Sequence, residues 1–384
     1  MLVDFIKKRL LISESRDLDH TLIMSLVILL SIGLVMVTSA TLDFSYEKTG
    51  NPFYFTIKHL IYICIGLASA SIISRIPLNF YNNYSKIFLF LSFLLSLVIF
   101  IPGFGREVNG ALRWLDLRFI TIQVAELSRL FILIWICSYI SRNDVNKSFN
   151  KCLVFVGALA LLIVFHRDLG SIILLITSFF ALMLIIGLHI RTFFSYFFLA
   201  ALSILPLIIF QPYRMRRITS FLNPWDDPTG SGYQLMNSLL AFGKGGFFGL
   251  GLGSSVQKLF YLPESYNDFI FALIAEELGL VFTILIVVLF YIIFLRIFKL
   301  ARKCLENKLY FASNLSFMIG LLITIQAIIH IMVNIGMLPT KGMGLPFISY
   351  GGTNLLVMFI CIGLLFRIQI ENRQKISQGV QRGY

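Results

Sequence analysis

The run Phe269-Ile-Phe-Ala-Leu-Ile-Ala-Glu-Glu-Leu-Gly-Leu-Val-Phe-Thr-Ile-Leu-Ile-Val-Val-Leu-Phe-Tyr-Ile-Ile-Phe-Leu295 decides the fold. It is apolar almost throughout, and as a helix it is long enough to cross about 30 Å of hydrocarbon. Comparable runs recur along all 384 residues, of which 58% are hydrophobic and only 13% charged, about half the usual charged share. Mean hydropathy is +0.87. A soluble core is excluded. The pattern predicts an all-α, polytopic membrane protein with ten transmembrane helices, at 20–41, 57–74, 85–101, 121–141, 151–166, 169–188, 193–210, 269–295, 309–336 and 350–367. Only His166, Arg167 and Asp168 separate the fifth from the sixth, so that pair also reads as a re-entrant hairpin.

The first span follows a charged leader (Lys7, Lys8, Arg9, Arg16) and is too long for a signal-peptide core, so it reads as retained. An even span number puts both termini on one side. Counting Lys and Arg in the loops gives roughly nineteen on that side against about seven in the opposing short loops, so both termini are expected in the cytoplasm. The expected plan is a cytoplasmic leader 1–19, helices 1–7 over 20–210, a large outer loop 211–268, helices 8–10 over 269–367 and a cytoplasmic tail 368–384. Most of the net charge of +13 is this topology signal. The outer face nevertheless carries Arg106, Arg113, Arg118, Arg214, Arg216, Arg217, Lys244, Lys258 and Lys341. Such charge suits an anionic ligand in the outer compartment, where nucleic acid is not expected. The five cysteines show no outward pair and no metal-ligand spacing.

Several groups of residues could carry chemistry. Arg113 and Trp114 fit either a membrane-interface anchor or contact with a lipid-linked phosphate, the guanidinium being bidentate and the indole packing on sugar or lipid. Glu126 and Arg129, three apart at the start of the fourth span, can form a structural ion pair or line a wet cavity. In the large loop, residues 214–228 read as a basic stretch and a turn, and Gly232–Phe242 as an amphipathic helix on the membrane surface. Gly243-Lys-Gly-Gly-Phe-Phe-Gly-Leu-Gly-Leu-Gly253 lacks the strand and the Gly-Lys-Ser/Thr of a nucleotide loop, so its glycines serve tight turns and close backbone approach. Asp268, just before an apolar helix, reads as an N-cap whose carboxylate the helix dipole keeps ionised, and equally as a base for a sugar hydroxyl. Glu264 and Glu276 are second-line candidates, and Glu276 or Glu277 should face a polar interior. In Leu338–Thr353, Lys341 and Ser349 could donate to a ligand, or the segment is simply a rigid turn.

Taken in order, Met215-Arg-Arg-Ile-Thr-Ser-Phe-Leu-Asn-Pro-Trp-Asp-Asp-Pro228, Gly232-Tyr-Gln-Leu235, Gly251-Leu-Gly-Ser-Ser-Val-Gln-Lys-Leu259, Tyr261-Leu-Pro-Glu264, Asp268-Phe-Ile-Phe-Ala272 and Leu338-Pro-Thr-Lys-Gly342 with Leu345-Pro-Phe-Ile-Ser-Tyr-Gly-Gly352 resemble the SEDS family (shape, elongation, division and sporulation) over nearly the whole chain. The Leu-Pro-Thr-Lys-Gly and Asn-Pro-Trp-Asp-Asp-Pro forms look like its division branch more than its elongation branch. The resemblance implies a ten-span peptidoglycan glycosyltransferase of the bacterial inner membrane that polymerises lipid II at the outer face. It places the essential aspartate at Asp268. It also implies a class B penicillin-binding protein as partner, other divisome membrane proteins nearby, and work at the division septum. The chain departs from the family at Tyr266-Asn267 (usually His-Thr), at Val124 (usually Pro) and at His166-Arg167 (usually Gln-Pro).

Glycan polymerisation expels a lipid pyrophosphate, a stable anion that needs cationic stabilisation more than a protonating acid. Asp268 is therefore expected as general base, with Arg113, Arg216, Lys258 and Lys341 toward the pyrophosphates. One carboxylate base and a basic patch could suffice, and a divalent cation could assist. The rival readings are a lipid II flippase using Glu126, Arg129 and His330, an elongation-type polymerase, and a scaffold that only recruits the transpeptidase. No internal repeat of the transporter kind supports the flippase.

Overall fold

A computed structural model describes residues 18–108, 110–116, 121–259 and 261–381, with side chains as far as Ser377. The leader's Lys7, Lys8, Arg9 and Arg16, and Arg118, lie outside the described residues. The chain is a helical bundle: α1 (His20–Thr49), α2 (Tyr54–Arg75), α3 (Leu78–Asn83), α4 (Ser85–Val98), α5 (Val124–Arg142), α6 (Val145–Phe165), α7 (Leu169–Ile186), α8 (Ile190–Ile209), α9 (Pro212–Leu222), α10 (Tyr233–Gly245), α11 (Ile270–Glu306), α12 (Tyr310–Asn334) and α13 (Gly352–Gln381).

Among the described residues nine helices are long and apolar enough to cross a membrane, and α4, with 14 residues, is a shorter apolar helix in the place of the third expected span. The protein is therefore multi-pass. The pair α6 and α7 consists of two full-length helices, of 21 and 18 residues, rather than a short hairpin. One element is not helical. Gly105–Val108 (β1), Ala111–Asp116 (β2) and Thr121–Gln123 (β3) form an antiparallel sheet of three strands in that order, and β3 runs directly into α5.

The segment between α8 and α11 carries two helices, α9 and the α10 expected near 232–242. The basic stretch at 212–222 is a helix, α9, with Pro212 at its first turn, where a missing N–H costs nothing. Helix α10 does not lie out on a surface. It buries Leu235, Asn237, Ser238 and Ala241 against α11 and α12, and Ser238 Oγ donates to Asn334 O at 2.7 Å.

Gly279 (φ 78°, ψ −175°) breaks α11 and frees backbone groups. The glycine-rich segment satisfies them: Leu280 N donates to Gly246 O at 3.0 Å, Leu250 N to Glu276 O at 2.9 Å, and Gly251 N to Glu277 O at 3.0 Å. The side chains of Glu276 and Glu277, both buried, hold the next residues. Glu276 accepts from Ser255 Oγ and from Val256 N (3.1 Å), while Glu277 accepts from Gly253 N (3.0 Å) and Ser39 Oγ (2.8 Å). At the opposite end of α1, Asp19 caps the helix through Leu22 N (3.1 Å) and pairs with Arg296 of α11 at 2.6 Å.

The crossing at the break leaves no room for a side chain. Gly249 has φ +78°, and a Cβ there would lie 2.2 Å from Glu277 O. Gly249→Ala should cost at least about 1–3 kcal/mol, read as a lower midpoint of thermal unfolding in detergent. A midpoint equal to wild type would show that the crossing can relax.

Candidate functional site

The turn between α12 and α13 is fixed at many points. Gln326 Nε2 donates to Gly344 O (3.0 Å), Leu345 N donates to Ser349 Oγ (2.7 Å), and Tyr350 N donates to Tyr266 O (3.1 Å). Ser349 Oγ itself donates to Asn267 O at 2.7 Å, so this hydroxyl clamps two loops together and is committed within the protein. The clamped turn, the loop before α11 and the sheet enclose a cavity of about 150 Å³. Its walls come from β2 (Arg113, Trp114), β3 (Gln123), α5 (Glu126, Arg129), α7 (Ser171, Leu174), the loop residues Asn267 and Asp268, Gln326 of α12, the turn at Gly342–Gly344, and the start of α13 with Thr353 and Asn354.

Asp268 is half-buried, and its Oδ1 is enclosed without a hydrogen-bond partner. It is not the N-cap that its position suggests: Phe269 occupies that place and makes no side-chain cap bond. Asn334 of α12 serves α11 instead, its Oδ1 accepting from Ala272 N (3.1 Å) and its Nδ2 donating to Asp268 O (3.1 Å). The carboxyl group is thereby left to the cavity. Burial and the like charge of Glu264 push its pKa up to about 7, against the pull of Arg217 and Arg113. The expectation of a carboxylate kept firmly ionised by the helix end is thus corrected. Gly342 lets the turn cross this group closely, since a Cβ there would lie 2.8 Å from Asp268 Oδ2.

Beside it lies a group of cations with one acid among them. Arg113 Nη2 donates to Arg167 O (2.7 Å), and Arg217 Nη1 donates to Thr340 O (2.9 Å) next to Lys341. Burial and the neighbouring Arg113, Arg217 and Arg214 depress Lys341 to about 7, although Asp168 favours its charged form. Asp168, buried at the N-cap of α7, accepts from Ser171 N (3.2 Å), Ser171 Oγ (2.7 Å) and Gln123 Nε2 (3.0 Å). Burial alone would raise its pKa, but Arg113, Lys341 and the Ser171 bonds outweigh it and hold the carboxyl below the ordinary range.

The structure brings Asp268, Arg113, Trp114, Glu126 and Arg129 to one cavity, with Lys341 beside it. It does not bring Arg216 or Lys258. Arg216 is exposed on α9, and the neighbouring Arg217 faces inward in its place. Lys258 Nζ is buried in an ion pair with Glu277 at 3.2 Å and also donates to Gly253 O at 2.8 Å, so it belongs to the break in α11. Glu276 belongs there too. Glu264 is exposed, outside the cavity wall, and acts on Asp268 through its charge. Glu126 and Arg129 do not form the expected direct pair: Glu126 Oε1 accepts from Asn354 Nδ2 at 2.9 Å. Asp168, Gln326 and Asn354 were not singled out from sequence; only the break between two spans at His166–Asp168 pointed to the first. No cluster of three metal-ligating side chains occurs among the described residues.

The family profile described as "Cell cycle protein" (FTSW_RODA_SPOVE) matches residues 20–374. A probable peptidoglycan glycosyltransferase FtsW of Coxiella burnetii is 41% identical over 358 residues, covering 92% of this chain and 96% of its own. One of the same description from Nitrosomonas europaea is 40% identical and covers 94% of each chain. Among solved structures, RodA of Thermus thermophilus aligns with a TM-score of 0.66 at 22% identity, covering 92% of this chain and 97% of that one. A chain of a peptidoglycan synthase complex, from work on the coordination of polymerization and crosslinking, aligns at 0.74 and 22%, covering 93% and 98%. These two establish a shared fold.

Asp168 anchors the cation group. Asp168→Ala strands the Ser171 and Gln123 donors at a cost on the order of 1–3 kcal/mol. Because its folded pKa is depressed, the carboxylate stabilises the protein at neutral pH, and that contribution is lost as pH falls through the acid range. Thermal unfolding across pH should therefore show a lower midpoint for Asp168→Ala at pH 7 and a shallower acid decline.

Proposed function

The chain belongs to the FtsW/RodA/SpoVE family of cell cycle proteins, and on that footing we propose that it is a peptidoglycan glycosyltransferase of septal wall synthesis. Its substrate is lipid II, and the reaction takes place at the outer face of a bacterial inner membrane. One observation carries the assignment of the site. A carboxyl group with an unpartnered oxygen, poised near neutrality, lines a cavity beside Arg113, Arg217 and Lys341.

The chemistry follows from that arrangement. The acceptor sugar's hydroxyl oxygen bonds to the donor's anomeric carbon as its proton passes to Asp268. The bond from that carbon to the pyrophosphate oxygen breaks, and the lipid pyrophosphate departs with the electron pair. A pKa near ambient pH suits a group that must accept a proton and give it back each cycle. Arg113 and Arg217 are the fixed cations for the leaving group. Lys341, depressed by burial and by its cationic neighbours, gains charge when a pyrophosphate arrives beside it.

The same reading puts both termini in the cytoplasm and Asp268 at the outer water boundary. It makes a class B penicillin-binding protein the membrane partner, crosslinking the strands as they emerge, with other division proteins around it. The SEDS resemblance implies such a transpeptidase, and the fold shared with a chain of a peptidoglycan synthase complex supports this pairing.

Two measurements test the site. Asp268→Asn, inserted normally in proteoliposomes with labelled lipid II, should lower polymerisation by about 10²–10⁴-fold; wild-type rate in that variant would refute the base. The rate of the natural protein should rise with pH through about 7 as Asp268 ionises. Glu264→Gln removes a like charge, so the acidic limb should move to lower pH while the plateau rate is kept. A limb that stays in place would mean that another group titrates.

A further inference from the structure

Part of the cavity lining is almost closed to solvent. Three of its side chains, Glu126, Arg129 and Gln326, are only 7%, 2% and 1% exposed. Each has one polar atom without a hydrogen-bond partner: Glu126 Oε2, Arg129 Nε and Gln326 Oε1. Their other contacts hold two of them in place. Glu126 Oε1 takes the Asn354 amide at 2.9 Å, and Gln326 Nε2 is spent on Gly344 O at 3.0 Å, so the free oxygens are not idle for want of orientation. In the Arg129 guanidinium it is Nε that is enclosed without a partner. Buried polar groups are costly to leave unpaired, and three of them around one cavity make a built site.

The charge of this floor decides what it takes. An acid and a guanidinium share it, so a phosphate would meet Glu126 and a cation would meet Arg129. A neutral group with one donor and one acceptor satisfies both. Leu174, fully buried and lining the same cavity, adds an apolar wall. Donor, acceptor and methyl-sized apolar contact together describe a secondary acetamide.

Resting on the glycosyltransferase reading, we infer that Glu126, Arg129, Gln326 and Leu174 bind the acetamido group of the acceptor hexosamine. The amide N–H donates to Glu126 Oε2 or Gln326 Oε1, its carbonyl accepts from Arg129, and its methyl packs on Leu174. Because Asp268 lines the same cavity, a sugar held by this substituent presents its hydroxyl to the base. The floor is thus a specificity element, separate from the cations that serve the pyrophosphate.

The test compares two lipid-linked disaccharide diphosphates, the natural one and one whose terminal hexosamine carries a hydroxyl in place of the acetamido group. The natural protein should prefer the acetamido substrate by about tenfold or more in kcat/KM, chiefly through KM, because a site built to hydrogen-bond a group rejects the analogue that lacks it. Glu126→Gln turns the free acceptor into a donor, and Leu174→Phe fills the methyl wall. Each should reduce the preference to within about threefold by weakening use of the acetamido substrate. Equal use of both substrates by the natural protein, or full preference in both variants, overturns the inference. The same ratio is read as equilibrium binding of the two lipids to the Asp268→Asn protein. A natural protein that makes no polymer while binding still discriminates would sink the glycosyltransferase reading and leave the acetamide site standing.

Discussion

Everything in this bundle depends on how the interruption of α11 at Gly279 is made good. A helix broken within a membrane exposes backbone N–H and carbonyl groups to a medium that cannot solvate them, and such a break persists only where other protein groups pair with them. Here the partner is the glycine-rich stretch, which crosses the break and exchanges bonds with Glu276, Glu277 and Leu280. Two buried glutamates then fasten the following residues by their backbone N–H and hydroxyl groups. The chain between α8 and α11 is consequently part of the bundle wall. Because it leads directly to Asp268, the same bonds that close the break set where the carboxyl group stands.

At the cavity the electrostatics are lopsided: several cations, an acid held ionised in Asp168, a second in Asp268 that burial holds near neutrality, and the buried Glu126. Asp168 and Asp268 are chemically the same side chain. The first is wrapped in hydrogen-bond donors, and the second is stripped of them, because Asn334 has taken over the capping work. That difference in partners separates a structural carboxylate from one free to exchange a proton.

Much of this was legible in the chain. Long apolar runs report their own spans, and acids or arginines stranded at their ends, such as Asp268, Glu126, Arg129 and Arg113, advertise a polar cavity because lipid would not tolerate them. What failed had local causes. A basic amphipathic stretch at 212–222 is nearly as good a loop as a helix by composition, so α9 was missed, and with it the choice of Arg217 over Arg216, which turns on helical phase. Three short strands interrupted by Gly110 carry too little alternation to register. Asn334 and Lys258 depend on contacts with residues far away in sequence, and a cap supplied by another helix leaves no trace beside the helix it serves.

The far end of the bundle has its own consequence. Asp19 closes the first turn of α1, pairs with Arg296 and donates its backbone N–H to Gln369 Oε1 at 2.9 Å, so that α1, α11 and α13 are rooted together there. Phe44, which touches Tyr266 beside the reactive loop, stands 25 residues further along α1, about 37 Å away at the rise of a helix. Ser39 of α1 also donates to Glu277 of α11 on the reactive side of the bundle, so these two helices are tied at both ends, and a bulky lipid-borne sugar has to enter between fixed posts.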